Sequence, residues 1–521
     1  MKKTFILLLR LCTVLLALHA LELSAASPAL DRPMDEGQAR NMLSRFGYGP
    51  TPRTLSATTG LTPRQYLMRS IKDGSALPAP VDAQADKIAG DPLESIWARY
   101  GPGGNAVPPA GNVEARTAMQ DRIVNYGLAQ IEARLLIMAN SDNPGHEALL
   151  SFWLNHFSVF VSKGRNRLLV GDYIHSLDEA IRADSFEALL RASFFHPAMQ
   201  IYLDNEQSVS PDSRIGRHAT SRGKRVGINE NLARELLELH TLGVDGGYDQ
   251  TDVQALARII TGADVPRADE PPAQLEKAGV VRRGYFQFDP RRHEFGAKRL
   301  LGVDFPPGEG LAEIDRALHL MATHPATAAH ISTKLARRFL DDEPPAEVVA
   351  AMVAAFRSSG GRISTTLLAL FDSPAFQASL QAPTKFKEPL DYVLSMARVV
   401  CEDQPITNSQ ALFKAVSEMG QLPMRRTTPD GYGMQEKDWL SPVAMTKRIR
   451  FARDVADGTV RFAGPAGAGE ADQPQAGCQA DPERIEKMLG ATRPMTRRSL
   501  IGLSAVEKSA LLLASPEFMR R

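Results

Sequence analysis

Apolar positions recur with a helical period along almost the whole 521-residue chain. Thr62-Pro63 reads as an N-cap followed by proline at the first helical position, opening a helix that carries Tyr66, Leu67 and Ile71 and stops at Gly74. A long helix is expected over residues 114–139, punctuated by Asn143-Pro144-Gly145. Further helix starts are expected at Ser185-Phe186, His196-Pro197, His324-Pro325 and Ser373-Pro374. Pro78, Pro80, Pro92, Pro102, Pro108 and Pro109 predict a loop-rich excursion over residues 77–113 with a short helix around Ile96. The one β element expected lies in residues 284–301, where Tyr285, Phe286 and Phe288 precede a charged turn and a second short apolar run. The fold class that follows is mainly α: a large, bundle-like multi-helix single domain with a small β-hairpin. Its helical core is expected over residues 27–455, and a flexible loop with closing helices packed on that core over residues 456–521.

Two helical segments break the amphipathic rule in ways that bear on chemistry. Residues 147–161 are apolar almost all round, with a single polar stripe of Glu147, Ser151, Asn155 and Ser158, so this helix belongs at the centre of the molecule. Asn155 and Ser158 then need buried partners, because an unsatisfied polar group costs about 1–3 kcal/mol. His156 projects from the apolar surface. In residues 229–243, Leu232, Ala233, Leu236, Leu237 and Leu239 form an apolar arc with His240 inside it. Glu230, Arg234, Glu238 and Thr241 form the opposite stripe, with Glu235 at the border. Gly243 supplies a C-cap, and Tyr248 lies in a tight turn before a helix capped by Asp249 or Thr251.

Two arrangements fit these carboxylates. Arg234 can pair with Glu230 and Glu238 on a solvated face, worth only about 0.3–0.5 kcal/mol per pair. Alternatively Glu230, Glu235 and Glu238 stand in a cleft where burial and neighbouring charge separate an acid from a base. In the second arrangement His156, His240 and Asp204 join the carboxylates as catalytic candidates, since imidazole transfers protons near neutral pH. Arg234, Asn155, Asn229, Lys163, Tyr248 and His293 are the candidates for holding substrate. Neither histidine segment has the spacing of a zinc motif, and phosphate loops, serine elbows and paired Cys-x-x-Cys motifs are absent, so no metal and no cofactor is expected.

Composition narrows the compartment and the partners. With 61 Lys plus Arg against 60 Asp plus Glu the net charge is +1, which removes the electrostatic case for nucleic acid as a partner of the whole surface. Lys2 and Lys3 precede an apolar run and the small residues Ser24, Ala25 and Ala26, the order of a secretory signal cut after Ala26. The mature chain is therefore expected in the periplasm or outside the cell, with no membrane span. Cys12 leaves with the signal; Cys401 and Cys478 remain, as one disulfide or as two thiols.

Several of these segments together resemble the bacterial domain of unknown function 1800 family. They are Phe152-Trp153-Leu154-Asn155-His156-Phe157, His196-Pro197-Ala198-Met199 with Tyr202-Leu203-Asp204-Asn205, Asn229-Glu230-Asn231 through Glu235 to Gly243, and Tyr248 with Asp252-Val253. Downstream, His293 with Gly296 and Lys298, His324-Pro325-Ala326-Thr327, Ser373-Pro374 and Trp439-Leu440-Ser441 also look like that family. The resemblance implies export, a large helical architecture and a link to a second exported protein similar to sulfatases and alkaline phosphatases. Ala263 stands where the family usually has Trp, and Glu294 where Asp is usual. The expected activity is hydrolase-like carboxylate and histidine chemistry on a cell-envelope or extracellular polymer. The alternative is a non-catalytic binding or assembly protein.

Overall fold

Short capping side chains followed by proline start many of the helices. Thr51, Thr62, Asn143, Ser373, Ser441 and Asp481 each accept a hydrogen bond from the first turn, with proline next in sequence. His196 and His324 do the same with an imidazole: Nδ1 accepts from the N–H of Ala198 (3.1 Å) and of Ala326 (3.2 Å). The computed structural model describes residues 28–266, 271–464, 478–490 and 492–521. The expected leader and residues 465–477 of the expected flexible loop lie outside the described residues.

The protein is mainly α, and one continuous apolar core runs from Leu30 to Met519. Its centre is made by the C-terminal part of Val113–Asn140, from Ile131 on, with Pro144–His156, Asn166–Arg182 and Pro389–Cys401, the last buried at every position. Trp153 is fully buried, as the apolar character of its helix requires. That helix stops at His156, five residues short of the expected end, where Phe157 leaves helical geometry. The excursion over residues 77–113 holds a second helix besides Leu93–Tyr100. This is Ala79–Ala89, which accommodates Pro80 in its first turn and buries Val81 and Ala85 against Leu136 of the long helix.

The β structure differs from a single hairpin. Val281–Arg283 turns at Gly284 (φ +56°) into Phe286–Phe288, whose other edge pairs with Ala263–Asp264. Lys298–Leu300 pairs instead with Val303–Phe305. The two apolar runs of residues 284–301 therefore belong to separate antiparallel sheets. Between them His293 turns inward: Nδ1 meets Thr261 O (2.6 Å), and Nε2 meets Glu313, which also holds Lys298 (2.8 Å).

Candidate functional site

The segment with the clustered carboxylates is not one regular helix. Asn229 Oδ1 accepts from the N–H of Asn231 (2.9 Å) and opens the helix Asn231–Glu235. The next turn, Leu236–His240, widens to π geometry, and Gly243 N–H donates back to Leu237 O (3.1 Å). A π turn re-aims the side chains that follow it and is frequent at functional sites. Gly243 has φ +88°, and a Cβ there would stand 2.8 Å from His330 Nδ1. Glycine thus lets the His330 ring slide under the turn, where Nε2 donates to Leu239 O (3.1 Å).

Three imidazoles form the floor beneath this turn. His156 Nε2 donates to His240 O (3.1 Å), and its ring centre lies 6.1 Å from that of His240 and 6.2 Å from that of His330. Burial, reinforced by the nearby Lys334 charge, lowers all three: His240 to about 3, His330 to about 4 and His156 well below its usual value. They are neutral at physiological pH. His156 and His240 are fully buried, and both ring nitrogens of His240 lack a hydrogen-bond partner among the described residues.

The carboxylates of the same segment divide. Glu230 is tied to Arg234 (3.2 Å) and to Gln250 Nε2 (2.8 Å), so Arg234 directs its charge there. Glu235 and Glu238, both half-buried, make no hydrogen bond or ion pair among the described residues. Burial, the Glu238 carboxylate and Asp430 push Glu235 up to about 7 against the opposing pull of Arg234. Tyr248 is also raised, by burial and then by Glu238.

Four further residues complete the setting. Asp430 is held by Arg426 (3.1 Å) and Thr428. Tyr202 donates to Thr427 O (3.0 Å), and Glu235 and Asp430 add to the burial that raises its hydroxyl. Burial lowers half-buried Lys334 to about 8, with Asp430 opposing. The loop bearing Asp430 is fixed by Asn155: Nδ2 donates to Tyr432 O (2.9 Å) and Oδ1 accepts from Tyr432 N–H (2.7 Å). A Cβ on Gly431 would stand 2.2 Å from Asn155 O, so only glycine permits this approach. The available sequence signals were the Pro429-Asp430-Gly431 turn and the spacing of His330 and Lys334 four apart on one helix.

The other candidates are placed elsewhere. Asp204, at φ 57°, binds Lys163 (2.9 Å) and Gln207 (3.0 Å). His293 sits in the buried Glu313–Lys298 network, with no exposed side-chain surface. The polar stripe of the central helix faces inward: Ser151, Asn155 and Ser158 line a cavity of about 50 Å³ with Arg338, Glu388 and Asp391. That volume admits a few water-sized molecules.

A family model described as "Protein of unknown function (DUF1800)" matches residues 41–520. The chain belongs to this DUF1800 family. No curated protein and no solved structure matches it. Ala263 is a buried strand residue opposite Phe288, and Glu294 chelates Arg258. Among the described residues, no three His, Cys, Asp or Glu side chains converge to hold a metal ion, and no helix is long and apolar enough to cross a membrane.

Proposed function

We propose that this DUF1800 protein is an exported, hydrolase-like enzyme whose proton carrier is Glu235. The observation that carries the reading is an unpaired carboxyl raised to about 7 beside the unpaired Glu238. At neutral pH a group with that value is protonated in a large fraction of molecules and can still lose its proton. In the proposed step Glu235 gives its proton to the leaving oxygen of a polymer linkage, and the Glu238 carboxylate takes a proton from the attacking water. Water is thereby split between the two product ends. Tyr248 and Lys334 are available to hold the polymer.

The Cys401–Cys478 disulfide supports an oxidising compartment, and the order of residues 1–26 supports export to the periplasm or beyond. Cell-envelope or extracellular polymer is the substrate class that compartment favours. The test is turnover of isolated envelope and extracellular polymer fractions by the purified protein, with Glu235→Gln as control. Activity falling at least ~100-fold in the variant is expected, the usual weight of a general acid. Unchanged turnover in the variant would remove the proposal.

A second reading is a non-catalytic assembly protein acting beside a sulfatase-like exported partner. It is favoured by the internal bonds of Asn155, Asn229, Asp204 and His293, which occupy those side chains with the protein itself. Capture of such a partner by both native protein and Glu235→Gln, with no turnover by either, would favour it.

A further inference from the structure

Residues 214–225 contain Arg214, Arg217, Arg222, Lys224 and Arg225 without a single carboxylate, in a chain that otherwise balances its charge. They cap an excursion with a closed neck: Val209 N–H donates to Gly227 O (3.0 Å), and Asn229 N–H donates to Ser208 Oγ (3.1 Å). The tip holds the helix Arg214–Ser221, capped by Ser213, and turns back at Gly223. Its underside is fixed by Ile215 N–H donating to Arg291 O (2.9 Å) and by Arg292 donating to Glu206 O and Ser208 O.

All five cations are exposed, and none forms an ion pair among the described residues. Other surface cations behave differently: Lys163 takes Asp204, Arg165 takes Glu206 and Arg191 takes Asp315. Like charges gathered on a braced tip repel one another, and their combined field attracts an extended anion more strongly than scattered charges would. The neck of the excursion runs directly into Glu230 and Asn231, the first turn of the segment bearing Glu235.

We propose that this excursion is the docking arm for an acidic polysaccharide presented to the Glu235 site, an inference that rests on the acid–base reading above. The partner is a polysaccharide rather than a single-stranded nucleic acid because residues 209–228 contain no Phe, Tyr or Trp on which bases could stack. The near-neutral chain as a whole also argues against a long basic groove.

The test measures binding of the purified full chain to polygalacturonate, dextran sulfate, neutral dextran and duplex DNA at low and physiological salt. The variants are Glu235→Gln and a combined replacement of Arg214, Arg217, Arg222, Lys224 and Arg225 by Gln. Native protein should bind an acidic polysaccharide with affinity that falls as salt rises, and should ignore neutral dextran. Preference for polygalacturonate assigns carboxylate as the recognised group, and preference for dextran sulfate assigns sulfate. The combined variant should bind at least tenfold more weakly with an unchanged Tm, since its side chains are exposed. Glu235→Gln should bind like the native protein, so loss of binding and loss of turnover report separately on the arm and on the acid–base site. Native-like binding by the combined variant, equal binding of neutral dextran, or tighter binding of DNA would overturn the proposal.

Discussion

The most informative single residue is Glu235, because its environment converts a common side chain into one that titrates near neutrality. Burial comes first, then the Glu238 and Asp430 charges, with Arg234 opposing. The raised value has a sign for stability. Between the ordinary carboxyl range near 4.5 and about 7 the native state keeps a proton that the unfolded chain has released, so stability falls as pH rises through that window and levels above it. Because the side chain is only half-buried, solvent screening reduces the effect to roughly 1–2 kcal/mol. Denaturant unfolding of native protein and Glu235→Gln from pH 4 to pH 8 checks this. The native protein should lose stability relative to the variant as pH rises, and parallel curves would show that Glu235 is unperturbed.

At the scale of elements, the site depends on a π turn and a distant loop meeting across the central helix. Asn155 makes that meeting possible by closing two hydrogen bonds on Tyr432, which fixes Asp430 near Glu235. Asn155→Ala should cost about 1–3 kcal/mol through the backbone groups it leaves unpaired. It should also speed hydrogen exchange at the Tyr432 amide and lower the pKa of Glu235 as the Asp430 carboxylate moves away; unchanged exchange would show that the loop holds itself. Helix starts such as Thr62-Pro63 and Ser373-Pro374 were legible because capping is local chemistry. The need of Asn155 for a buried partner was legible too, from the apolar surroundings of its stripe. The π turn was not, since an apolar arc with a 3.6-residue period describes Leu232 to Leu239 equally well with or without the wider turn that His330 and Gly243 accommodate. Nor was the Asp430 contribution, because nothing in local periodicity links residues 155, 235 and 430.

At the scale of the whole molecule, the helix Pro389–Cys401 is clamped at both ends by different chemistry. At its start Asp391 receives Arg338 through two bonds (2.8 and 2.9 Å) and also meets Arg521 (3.2 Å), while Glu388 meets Arg338 (3.1 Å). All four side chains are buried, so Asp391→Ala should leave two guanidinium groups undercompensated and cost about 3–5 kcal/mol, read as a lowered denaturation midpoint. At its end Cys401 is bonded to Cys478, 77 positions later, which ties in the segment leading to the helix Pro482–Leu489. Closing a loop of that length removes enough freedom from the unfolded chain to stabilise the fold by about 4.5 kcal/mol in the chain-entropy account. Reduction, or Cys478→Ser, should therefore lower Tm. Amide protection should fall first in Pro482–Leu489 and in Ala505–Leu513, which packs against it, while Pro144–His156 keeps its protection until global unfolding. A uniform loss of protection would instead mean that the closing helices and the core unfold as one cooperative unit.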